Sequence, residues 1–204
     1  MDFLLENPQA IAKLSLEHLS VSLGAVFLAI LVGLPLGVLA AKVRRLEFVI
    51  ITATGLLYLI PSLALFAFLI PFLGLGTRTA VAGLSIYSLL VITRNVAIGI
   101  SGTPPPLLET GRGLGMTARQ LFLEVELPLA LPMVVAGIRV ATVMTIGITS
   151  LAAYIGAGGL GTLIFRGIAT SDNGLILAGA LPVAALALLC DGLLRFAERT
   201  ARWA

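Results

Sequence analysis

The sequence predicts an all-α protein that crosses a membrane several times. Hydrophobic residues make up 59% of its 204 positions and charged ones only 11%, more apolar surface than a soluble chain of this length can hide. Uncharged runs long enough to span a bilayer, about 20 residues each, recur along the chain. The charged side chains flank these runs. Although the net charge is +3, they form no basic stripe, which argues against a nucleic-acid partner. The single Cys190 excludes a disulfide framework and reads as a small buried hydrophobe.

Residues 1–18 are polar and amphipathic, with Asn7-Pro8 as a helix start and Ile11, Leu14 and Leu19 on one side. They lack a signal-peptide pattern and are expected to lie as a helix at the outer membrane interface. The lone His18 is expected to face water; with no second histidine, no metal site is expected. Residues 19–41 form the first span. Its Gly33 and Gly37 allow close helix contact around Pro35, a possible kink. Lys42, Arg44 and Arg45 mark a cytoplasmic end.

A second span is expected over about 48–70, in an uncharged run divided by Pro61 and Pro71, with an outer turn reaching Arg78. The third, about 79–100, carries Arg94 snorkelling to the inner interface. The fourth, about 129–151, holds Arg139, Thr142, Ile146 and Thr149 on one helical face. That polar stripe should face protein, not lipid. Residues 152–172 are glycine-rich and irregular, and about 173–194 form the last span.

With the N-terminus outside and five spans, the inner side receives Lys42, Arg44, Arg45, Arg94, Arg112, Arg119, Arg195, Arg199 and Arg202. The outer side receives only Lys13, Arg78 and Arg166. This bias fits the positive-inside rule and leaves the C-terminus and the 101–128 loop in the cytoplasm.

That loop is the charged exception in an apolar chain. Pro106 suits the first turn of a short helix, and Gly111, Gly113 and Gly115 cluster where it should stop. Thr117 with Gln120 reads as a capping box opening a second short helix, with Leu121, Phe122, Val125 and Leu127 at helical spacing. The result is a helix–turn–helix that a soluble partner could grip.

Other motifs carry no chemistry. Gly156, Gly158 and Gly161 match G-x-G-x-x-G, but no strand precedes them and no acidic residue follows at nucleotide-site spacing. Close packing or bending against a neighbouring helix explains IGAGGLG better. The chain has no P-loop, its only lysines being Lys13 and Lys42, and one histidine cannot supply the usual hydrolytic sets. It is therefore not expected to be an enzyme.

The loop resembles the EAA loop of permease subunits of bacterial ABC importers. The motif falls on Glu109, Thr110, Gly111, Gly115 and the close Val125-Glu126-Leu127-Pro128, with Thr110-Gly111 in place of two alanines and Val125 in place of isoleucine. Residues 60–80, 94–117 and 155–182 extend the likeness to permeases of osmoprotectant importers, which take up glycine betaine, carnitine, choline or related quaternary ammonium solutes.

The resemblance implies a five-span type I ABC importer permease core, residues 19–204, in a bacterial inner membrane. Its partners would be two ABC ATPase subunits, a second identical or similar permease chain, and a substrate-binding protein outside. The chain would hold no cofactor of its own, ATP and Mg being bound by the partner ATPase. Glu109, Thr110, Gly111, Gly115, Val125, Leu127 and Pro128 would couple to that ATPase. The segment with Gly156, Gly158, Gly159 and Gly161 would gate the outer face. Methionine-type and other amino-acid ABC permeases are the confusable relatives. A secondary transporter is disfavoured, because Asp191 is the only acidic candidate inside a span and no inverted repeat is found.

Overall fold

The computed structural model describes residues 6–201, all helix and connecting turns with no strand among them. In chain order come α1 (Pro8–Lys42), α2 (Arg44–Tyr58), α3 (Ser62–Leu73), α4 (Thr77–Ser101), α5 (Pro105–Gly113) and α6 (Ala118–Gln120). A π-helical turn (Leu121–Glu126) leads into α7 (Leu127–Ala152), followed by a 3-10 turn (Ala153–Ile155), α8 (Gly161–Thr170) and α9 (Asn173–Ala201).

α1 corrects the expected boundary at residue 18. It is one helix of 35 residues, about 52 Å long, with no break at residue 18. The packing explains why: Ile11 and Leu14 pack against Leu163, Leu175 and Ala178, and from His18 on a buried stripe of Ser22, Ala25, Ala29, Gly33, Gly37 and Ala40 recurs at helical spacing. Residues 1–5 of the expected interfacial helix, and Arg202, lie outside the described residues. Along this stripe α1 packs on α4. A methyl group at Gly37 would meet Val96 Cβ at 2.5 Å and the Thr93 carbonyl at 2.8 Å, so the small-residue pair is a requirement of close approach.

The expected second span is broken. α2 and α3 meet at 95° across Leu59–Pro61. Pro61 brings no N–H to the helix ladder and pushes Ile60 out of helical geometry. At 15 and 12 residues, neither half alone crosses about 30 Å of hydrocarbon. The described residues thus offer four helices long and apolar enough to cross a membrane, or five if this bent pair counts as one span.

The expected second short helix of the loop is also corrected. α6, the π turn and α7 run on without a break, so the loop's distal half is the foot of the fourth span, Ala118–Ile155. At the far end, the region expected to be irregular holds α8, which stops at Ser171 in the left-handed conformation (φ 54°). The last helix runs to Ala201, past the expected end at 194.

One apolar core (Val21, Ala25, Phe66, Ala80, Leu84, Ala152, Ile155) sits near the glycine-rich end and another (Ala29, Ile92, Val96, Ala130, Val134, Ala141) towards the loop. The outer faces of α1 and α9 expose Phe27, Leu31, Leu188, Leu193 and Phe196, as lipid contact requires.

Candidate functional site

The loop end is built from α5, the π turn and the foot of α1. Pro105 and Pro106 open α5, where missing N–H groups cost nothing. The Thr110 hydroxyl donates back to the Pro106 carbonyl (2.8 Å), and Glu109 stands exposed beside it. Gly111 is buried because a methyl there would meet Leu121 Cδ1 at 2.6 Å and Met116 Sδ at 3.1 Å. A glycine at this position lets α5 lie against the π turn. Gly115 then reverses the chain at φ 79°, a conformation that favours glycine.

The Thr117–Gln120 capping box is present. The Gln120 N–H donates to the Thr117 hydroxyl (3.3 Å), and the Gln120 side-chain oxygen accepts the Thr117 N–H (2.9 Å). Val125 and Leu127 are half-buried, and Pro128 occupies the first turn of α7. The structure therefore gathers Gly111, Val125, Leu127 and Pro128 into one packed elbow, leaving Glu109, Thr110, Arg112 and Gly115 on its exposed side.

Sequence reasoning missed what anchors this elbow. Lys42, at the last turn of α1, forms an ion pair with the buried Glu126 of the π turn. Its ammonium also lies 5.2 Å from the centroid of the Phe122 ring. The signal was there, in a basic residue directly after one span and an acidic one directly before another, but nothing in the spacing joins positions 84 residues apart.

Between the two ends runs a buried polar seam. Thr149 and Thr142 of the expected stripe are buried, and Thr145 joins them. Ser22 donates to the Thr149 hydroxyl (2.9 Å), and Ser88 shares a hydrogen bond with Thr145 (2.8 Å), tying α1 and α4 to α7. Arg139 departs from the seam. It lies 3.3 Å from Asp191 and 3.3 Å from Glu198 of α9, and Asp191 also pairs with Arg195 (3.0 Å). This network supplies the partners that a charge within a span requires.

At the opposite end the glycines take the shapes only glycine takes easily. Gly156, Gly158 and Gly159 have φ of 79°, 76° and 78°. Gly161 is buried against the Ser150 carbonyl and Ala153, with no room for a side chain. The Gly159 N–H donates to the Glu17 carboxylate (3.2 Å), and the Gly76 N–H donates to the Ile155 carbonyl (2.8 Å), so α1 and the α3–α4 turn clamp the segment. His18 corrects its expected exposure. It is fully buried, with Nε2 at 2.8 Å from the Ile146 carbonyl, and its Cβ would stand 3.2 Å from a methyl at Gly159. Among the described residues no cluster of His, Cys, Asp or Glu could hold a metal ion.

Comparison with known proteins fits this two-ended bundle. The carnitine transport permease protein OpuCB of Listeria monocytogenes is 44% identical over 93% of this chain and 87% of that protein. The osmoprotectant import permease protein OsmW of Salmonella typhimurium is 45% identical over 94% and 92%. The choline transport system permease protein OpuBB of Bacillus subtilis is 43% identical over 98% and 92%. In fold, the chain matches one from the inward-facing MetNI methionine ABC transporter, at a TM-score of 0.86 over 96% of this chain and 98% of that one, with 22% identity. Residues 33–203 match the family described as binding-protein-dependent transport system inner membrane component, and the chain belongs to that family.

Proposed function

We propose that this chain is the transmembrane permease subunit of an ATP-driven importer of compatible solutes, of the quaternary ammonium class carried by glycine betaine, choline and carnitine permeases. The observation that carries it is whole-chain identity of 43–45% to permeases named for carnitine, osmoprotectants and choline. The methionine reading has only the shared fold behind it, at 22% identity.

The chain sits in a bacterial inner membrane with its N-terminus outside and its C-terminus in the cytoplasm, the orientation favoured by the basic residues around the loop end. Two permease chains, identical or similar, form the pathway, and two ATPase subunits bind ATP and Mg. The exposed side of the α5 elbow, with Glu109, Thr110 and Gly115, docks into an ATPase subunit. Closure of the ATPase pair moves this elbow, and α7 carries the motion because it continues from the elbow to the glycine-rich end without a break. There the segment around Gly156, Gly158, Gly159 and Gly161 opens the outer gate to solute from a binding protein.

The test is uptake of labelled glycine betaine, choline and carnitine by vesicles holding this chain with its ATPase and binding protein. Uptake of one of them that vanishes without ATP supports the reading. Uptake of methionine alone would leave an ABC importer of another substrate class.

A further inference from the structure

The faces exposed by the helices are not alike. Between Leu23 and Leu39 of α1 and between Leu177 and Leu193 of α9 every exposed residue is apolar or glycine, whereas α2, α4 and α7 expose Glu47, Thr52, Tyr58, Arg94 and Gly147 among their apolar residues. A polar face at membrane depth must meet water or protein, so this is the side turned to a pathway. At its loop end lies an open cavity of about 460 Å³ between α2 and α4, lined by Glu47, Ile51, Arg94 and Ser101.

Farther along the same face, the structure brings together aromatic residues that lie 29 positions apart in sequence. Tyr58 and Tyr87 pack edge to face, with ring centroids 5.9 Å apart and planes at 76°. Tyr87 is buried and its hydroxyl donates to the Ile60 carbonyl, which fixes that ring as a wall. The Tyr58 hydroxyl lies 3.6 Å from Met144 Sδ, while the residue stays 37% exposed. Tyr58 is also the last residue of α2, at the 95° break, so the negative end of a helix dipole converges on it. Gly55, one turn before Tyr58, and Gly147, one turn after Met144, have nothing within 4 Å of where a Cβ would stand. The cluster is therefore flanked by open space on both sides.

This chemistry suits one kind of solute. A quaternary ammonium has no N–H to donate, is weakly hydrated, and is drawn to aromatic faces and polarisable sulfur. A carboxylate would hold it tightly. Aromatic and dipolar attraction alone gives a contact that is firm enough to enter and weak enough to leave, as conduction requires. We infer that Tyr58, Tyr87 and Met144 form a transient quaternary-ammonium stop on the translocation pathway, beside the break between α2 and α3. The inference rests on the importer reading above and assigns the permease itself a share in substrate choice.

The experiment is a fluorination series at position 58 in the complete importer, this chain with its ATPase and binding protein, reconstituted in proteoliposomes. Phenylalanine and its mono-, di- and trifluoro forms keep ring size while the negative face is withdrawn step by step. The expected result is a stepwise rise in KM for ATP-driven uptake of choline or glycine betaine, roughly three- to thirtyfold across the series, the range of a cation–π contact. The same series at Tyr154, which packs on Phe165 in a separate aromatic pair, should stay flat. A purely structural role for Tyr58 would also give a flat series, and that result overturns the stop while leaving the importer reading intact. If the unmodified importer carries no quaternary ammonium solute, both fall.

Discussion

At Gly159, φ of 78° and the close approach of His18 leave no place for a side chain. A Cβ there would stand 3.2 Å from His18, and a left-handed conformation costs an L-residue about 1–2 kcal/mol. Gly159→Ala should therefore lower the Tm of the detergent-solubilised protein, whereas Gly113→Ala, in α5 with open space around it, should hold or raise it. Equal shifts for the two would show that the glycine end is not packed as described. Arg139 poses the same question in charge. Removing one partner of a fully buried ion pair costs roughly 3–5 kcal/mol, and this network keeps 22% of Arg139 and 28% of Asp191 exposed, so the loss should be about half of that. Arg139→Leu should depress folded yield, and adding Asp191→Asn with Glu198→Gln should recover part of it. No recovery would mean that the arginine acts through its packing, not its charge.

The elements show where sequence reasoning succeeded and where it stopped. Local chemistry was legible: the capping box at Thr117 and Gln120, the proline start of α5, and the polar stripe on α7 are all present. Long-range facts were not. That α1 is buried from His18 onward depends on the Ile146 carbonyl, and that Gly111 must be glycine depends on Leu121. The break at Pro61 could be read as a division of the run, but only the packing of Leu65 and Phe66 turns it into a right-angle bend. The π turn was invisible, because its buried positions, Leu121 and Glu126, stand five apart and the second is a carboxylate, so no apolar repeat marks it; such turns are frequent at functional sites. Here it carries the Glu126 that meets Lys42, joining the elbow to α1. Lys42→Met or Glu126→Gln should lower the solute transported per ATP hydrolysed several-fold. The exchange Lys42→Glu with Glu126→Lys should restore much of that ratio, and failure to restore it would assign the two side chains independent roles. Glu109→Lys, on the exposed side of the elbow, should uncouple hydrolysis from uptake without loss of stability. Unchanged uptake would remove Glu109 from the coupling surface.

Across the whole molecule the two specialised ends are held apart by helices of 25 to 35 residues, about 38–52 Å long, and joined by the continuous rod from Ala118 to Ile155. The basic residues cluster around one end and the clamped glycines lie at the other, so the orientation of the bundle decides which end meets ATP. The single native cysteine makes this measurable, since Cys190→Ser leaves a background with no other thiol. Leu114, 78% exposed at the tip of the elbow, and Tyr154, 70% exposed beside the glycine segment, are opposite reporters. In that background, Leu114→Cys should react with a membrane-impermeant maleimide only in inside-out vesicles, and Tyr154→Cys only in right-side-out vesicles or intact spheroplasts. The reverse pattern would put the glycine end in the cytoplasm and the elbow out of reach of any ATPase, and the proposed coupling would fail with it. Labelling of Leu114→Cys should also fall when the ATPase subunits are co-expressed, if the proposed docking surface includes that tip. Full labelling with the ATPase bound would instead confine the contact to the part of α5 before Leu114.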